Sequence, residues 1–132
     1  MKTIQDVLDS VWELLSAPDP GAGKTFARFY RWSYPDDCND SYFGVINALS
    51  VPTDPIQSVD VNVNVYAKDI NIQRGIPDLS ALNAMAGAVI SELHHQNNDV
   101  YDISYQFMNV IREEALNAHM FNLRFKLIFI NN

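Results

Sequence analysis

Residues 58–68 read SVDVNVNVYAK. Val59, Val61, Val63 and Val65 alternate with Asp60, Asn62 and Asn64, and a period of two marks a strand with one face buried and one polar. This run commits the chain to a sheet whose apolar face must be covered.

Two segments carry the pattern of a cover. Residues 3–16, TIQDVLDSVWELLS, place Ile4, Val7, Leu8, Val11, Leu14 and Leu15 at helical spacing. Thr3 with Asp6 three residues on has the form of a capping box. Residues 78–96 form a second helix, capped by Asp78, with Leu79, Leu82, Met85, Ala86, Val89, Ile90 and Leu93 as its buried stripe. Ala84, Ala86, Gly87 and Ala88 let it approach a sheet closely.

The rest reads as strands and turns. TFARFYRWSY (25–34) and SYFGVINALS (41–50) are strands separated by the turn cluster PDDCND, and VPTDP follows. DINIQRGIP (69–77) is a loop. Two long strands close the chain, 100–112 and 119–131, joined by EEALNA. Tyr101, Ile103, Tyr105, Phe107 and Ile111 are expected on one face of the first, and Phe121, Leu123, Phe125, Leu127 and Phe129 on one face of the second. The order is α-β-β-β-α-β-β, and the short turns favour antiparallel neighbours. The expectation is one α+β domain over 1–132: a largely antiparallel five-stranded sheet with two packed helices, and a linker at 18–24.

That linker contains GAGKT, the ending of a phosphate-binding loop. The first glycine of such a loop would fall at Pro18, which lacks an N–H and has a fixed φ. The segment also follows a helix rather than a buried strand, so it reads as a Pro/Gly hinge.

A chain of 132 residues that is 48% hydrophobic can bury a real core. No apolar run is long enough to span a bilayer, and Asp6 and Asp9 interrupt what would be a signal peptide. The expectation is a soluble intracellular protein. Cys38 is the single cysteine, set among Asp36, Asp37 and Asp40, where a thiolate is disfavoured. The net charge is −7 and the nine basic residues are scattered, which argues against an affinity surface for nucleic acid.

Catalytic constellations are weak. His94 and His95 are adjacent on a helix and point about 100° apart. With His119 they could in principle form a zinc site, but no spacing brings them together. DDCND has Ser41 and Asn47 where a calcium loop needs glycine and glutamate. Glu113 and Glu114 sit side by side at a turn, unlike glycosidase carboxylates. No catalytic residue, metal or cofactor is assigned.

The polar face is the more unusual feature. Asp60, Asn62 and Asn64 are matched by Asp102, Ser104 and Gln106 and by Asn122, Arg124 and Lys126. This face is either a solvent side or the lining of something wet. Met108, Val110, Ile128 and Ile130 are expected to end it in apolar residues that a neighbour or a helix would cover.

The ordered segments ARFYRWSYP (27–35), SYFGVI (41–46), VNVNVYAKD (61–69), LSALNAMAGAVISEL (79–93), YDISYQFMNVIREE (101–114) and HMFNLRFKLIFIN (119–131) span nearly the whole chain. In order and spacing they resemble the phage tail-completion and tail-terminator-like neck proteins. The resemblance implies a non-enzymatic structural role. Copies would form a ring, a hexamer among the options, that completes the tail tube and meets the head connector. DNA would pass through without specific binding. The location implied is the virion tail or neck, after assembly in the bacterial cytoplasm. Ring contacts would then fall at loops and hairpin tips, on Asp69, Arg74, Arg112, Glu113 and Glu114, with Arg112 set against a glutamate of the next copy. Two other readings stand beside it. One is a small cytoplasmic binding module whose ligand lies on the aromatic strand 26–34; the other is a hydrolase using His94, His95 or His119.

Overall fold

A computed structural model describes residues 3–15, 28–49, 51, 56–94, 96 and 100–130, with Ile56 and Ile130 described in backbone only. The GAGKT segment, His95 and most of VPTDP lie outside these residues. The elements are α1 (Ile4–Leu15), β1 (Phe29–Arg31), β2 (Tyr42–Ala48), β3 (Ile56–Lys68), α2 (Leu79–Leu93), β4 (Tyr101–Glu113) and β5 (Ala118–Ile130), with a 3-10 turn at Glu114–Leu116. The class and order are those expected from the sequence.

Both helix starts form as the residues dictate. The Thr3 Oγ1 accepts the Asp6 N–H at 3.3 Å, and the Asp6 carboxylate accepts the Thr3 N–H at 2.8 Å, a reciprocal capping box. Asp78 accepts the Ala81 N–H at 3.1 Å. Both helices lie on one side of a sheet ordered β1-β2-β3-β5-β4, α1 over β1 and β2, α2 over β3, β4 and β5. Val59, Val61, Val63 and Val65 are fully buried there with Ile46, Leu123, Phe125, Leu127 and Phe129, under Val7, Val11, Leu15, Leu82, Met85, Val89 and Leu93. At about 25 cal/mol per Å² this apolar layer is the main favourable term of the fold.

Two features depart from expectation. First, β1 is short and runs parallel to β2, with Phe29 against Gly44 and Arg31 against Ile46. The cause is Trp32, whose φ is +74°. Its neighbour Ser33 donates its N–H to the Arg31 carbonyl at 2.9 Å, which makes a γ-turn of the rare, strained class. Such a conformation for a bulky residue costs about 1–3 kcal/mol. The chain leaves β1 there, loops through residues 33–41 and re-enters β2 in the same direction, so no hairpin forms.

Second, β4 contains a bulge. Tyr105 faces Phe125, but Phe107 faces Arg124, so Gln106 is the extra residue. A bulge slips the period-two alternation by one. Phe107 and Ile111 therefore leave the face of Tyr101, Ile103 and Tyr105 and join the polar side, beside Arg124 and Met120. Met108 and Val110, expected on the polar side, lie with Leu123 and Phe121 on the helix side.

Candidate interaction surfaces

The polar face of the sheet is tied together rather than loosely solvated. Asn62 donates to Asn47 at 2.9 Å, and Asn122 donates to Asn62 and Asn64 at 3.2 and 2.6 Å. Arg124 Nε donates to the Asn62 oxygen at 2.7 Å, and its guanidinium lies 5.5 Å from the Phe107 ring. Asn62 and Asn64 are buried, so the ladder satisfies groups that would be costly unpaired. It runs across β2, β3 and β5 as cross-strand neighbours. The result is a pinned amide surface with Asp60, Lys126 and Ser104 continuing it along the strands.

One end of that face is capped by aromatics. Phe43 stacks on Tyr66 with centroids 4.5 Å apart, and Tyr34 meets both edge-on at 5.7 Å. Burial pushes the Tyr66 hydroxyl up to about 12. Burial, then the hydrogen bond to Asp40, does the same to Tyr30. Burial and the nearby Glu113 also raise Tyr34. On the aromatic strand, Phe29 goes into the core and Tyr30 packs on Phe43. Arg31 pairs with Asp9 and lies over Trp12. Trp32 is 60% exposed.

The five residues that the sequence singled out for ring contacts lie around one end of β4 and β5. Arg74 is exposed on the 69–77 loop, a small folded-back turn closed by the Ile70 N–H to Ile76 carbonyl bond at 3.0 Å. Arg112 lies over Gly75, whose φ of +63° exposes a backbone surface that a Cβ would obstruct. Its guanidinium is 3.7 Å from Glu114 of the same chain. Glu114 is 81% exposed, whereas Glu113 is half-buried beside Tyr34. Asp69 is turned inward. Its carboxylate has no exposed surface, and Oδ1 meets His119 Nδ1 at 2.6 Å. Oδ2 has no hydrogen-bond partner among the described residues.

The two described histidines, His94 and His119, do not converge. His119 faces Arg112, whereas His94 Nδ1 accepts the Tyr105 N–H at 2.9 Å. These points on β4 are roughly 20 Å apart at strand rise. At the C-terminal end of α2, His94 satisfies a backbone donor beside the bulge. Among the described residues no three His, Cys, Asp or Glu side chains gather as a metal site, and no helix is long and apolar enough to cross a membrane.

The surface that sequence reasoning missed is the far half of β4. It is an edge strand, and after the bulge residues 106–112 are all exposed. Leu79, expected in the buried stripe of α2, overhangs the same place and is 51% exposed. Leu79, Asn83, Met108, Asn109, Val110 and Phe121 line a groove of about 310 Å³. A bulge leaves no mark in the alternation of a strand until its partner strand is laid beside it.

No family model matches the chain, and no curated protein matches it. A solved structure does resemble it. A chain described as "Virion of native gene transfer agent (GTA) particle" aligns with a TM-score of 0.62 at 15% identity, covering 90% of each chain. At that identity the likeness is one of fold.

Proposed function

We propose that this chain is a non-enzymatic structural protein of a phage-like particle, and that copies form a ring that completes the tail tube and meets the head connector. The observation that carries the reading is the fold shared over 90% of both chains with a component of a gene transfer agent virion. The geometry supports it in two ways. The sheet leaves a long apolar edge, which an assembling protein would cover. The amide face offers a polar wall without a cluster of cations, which suits a lumen that nucleic acid must traverse without sticking.

The test is the solution mass over a range of concentration, with negative-stain microscopy of the largest species. Annular particles of several 15.0 kDa subunits support the reading; a monomer at every concentration, with no ring on isolated tail tubes, counts against it. Glu114→Lys is the cleaner charge reversal at the hairpin tip, because Glu113 is also engaged with Tyr34. Loss of assembly in Glu114→Lys with an unchanged unfolding midpoint would place the tip in the contact.

A further inference from the structure

We infer that successive copies of this chain join by inserting Trp32 of one into the β4–α2 groove of the next. The inference rests on the reading of the chain as a self-assembling structural protein, and it names the contact.

Two features stand at opposite edges of one sheet. Trp32 follows β1, the first strand in the order, and the groove lies against β4, the last. Four inter-strand spacings separate them, roughly 20 Å. A closed head-to-tail ring needs two different patches on each subunit that complement one another, and opposite edges of a sheet supply them without self-blocking.

Trp32 has the character of a knob. A large apolar ring stands 60% exposed on a strained γ-turn. Its backbone N–H is held by the Ile46 carbonyl at 2.7 Å, so the side chain is presented from a fixed point. Strain kept at an exposed aromatic points to a use outside the fold, and tryptophan is enriched at interface anchors. The groove has the character of a hole. Its apolar walls are Leu79, Met108, Val110 and Phe121, three of them about half exposed. Its volume of about 310 Å³ leaves room for one large aromatic side chain.

Charge agrees with the pairing. Asp36 and Asp37 follow Trp32 and are exposed. Arg112 lies two residues beyond Val110 on the same side of β4, and Arg74 is exposed on the adjoining loop. Seating the tryptophan would bring an acidic turn toward two arginines, which favours this pairing over an edge meeting its own copy.

The test uses two variants of the full chain. Trp32→Gly removes the knob and accepts the positive φ, so it does not strain the turn. Val110→Asp blocks the hole at an exposed position. Both are expected to unfold within a few degrees of the wild type, and each alone to associate at least about 30-fold more weakly, as loss of an anchor residue does. Mixed together, they retain one intact knob and one intact hole, and a 1:1 pair that grows no further is expected by light scattering. A wild-type oligomer that persists in both variants overturns the inference and leaves the ring reading standing. Variants that dissociate but form no pair when mixed also overturn it. A wild-type chain that is monomeric at every concentration removes the self-assembly on which it rests.

Discussion

Replacing His119 by alanine should be among the most destabilising single changes available outside the apolar core. Asp69 starts the loop after β3, with its carboxylate wholly buried. An ionised carboxylate only accepts hydrogen bonds, so with Asp69 ionised the proton between the two groups is donated by His119 Nδ1, 2.6 Å away. The Asp69 N–H reaches the Asn117 carbonyl at 2.9 Å, and this fixes the backbone so that the side chain cannot swing to water. With Oδ2 already without a partner, His119→Ala leaves a buried charge with no donor. Removing one partner of a buried pair costs about 3–5 kcal/mol, which in a domain of this size lowers the unfolding midpoint by roughly 11–18 °C. Asp69→Asn removes the charge, keeps the shape and still accepts at one oxygen, so about 1 kcal/mol is expected. The double variant should then be less destabilised than the sum of the two by about 2 kcal/mol. Urea unfolding followed by circular dichroism, at fixed protein concentration because assembly adds stability, measures all four corners. A His119→Ala cost below about 1 kcal/mol, or an Asp69→Asn cost above that of His119→Ala, would refute the reasoning.

The remaining expectations concern the same framework. Tyr66 is held up to about 12 against an ordinary 10.0. The unfolded chain therefore loses this proton first, and stability should fall by up to about 3 kcal/mol as pH rises from about 10 to 12. Tyr66→Phe should flatten that fall, which alkaline unfolding would record. His94→Ala leaves the Tyr105 N–H without its acceptor and should cost about 1–3 kcal/mol, with the amide of Tyr105 losing hydrogen-exchange protection more than its neighbours. Gly75→Ala should cost about 1–2 kcal/mol because φ is +63°. The new Cβ would also lie 2.8 Å from the Arg112 guanidinium carbon. A penalty that disappears in an Arg112→Ala background would show that the clash, not the backbone, was responsible.

The parts of this molecule that were legible in the sequence are those where one residue reports on one neighbour. Val59 to Val65 declare a buried strand face by alternation, and Thr3 and Asp78 declare helix starts by cap chemistry. The parts that were not legible depend on a distant chain. Gln106 looks like any polar strand residue until β5 is laid beside it. Trp32 reads as strand because aromatic residues favour strands; nothing local states that its φ is positive. Asp69 reads as a loop carboxylate facing solvent, since its partner His119 is fifty positions away. Of the residues expected at ring contacts, Arg74, Arg112 and Glu114 are exposed and Asp69 is not, whereas the groove on β4 comes from a slip in phase that the alternation shows only as far as Tyr105.

The bulge makes the composition of that edge a matter of parity. Were Gln106 drawn into the ladder opposite Arg124, Phe107 and Ile111 would rejoin the core side, and Met108, Val110 and Arg112 would turn to the amide face. The knob of a neighbouring subunit would meet a different wall made from the same six residues. Deleting Gln106 does the opposite: Phe107 then follows Tyr105 directly and stays against Arg124, so the strand loses its bulge and keeps its groove. What this edge offers a partner is set by whether one residue counts in the ladder, so a deletion within 107–109 should alter assembly more than deletion of Gln106.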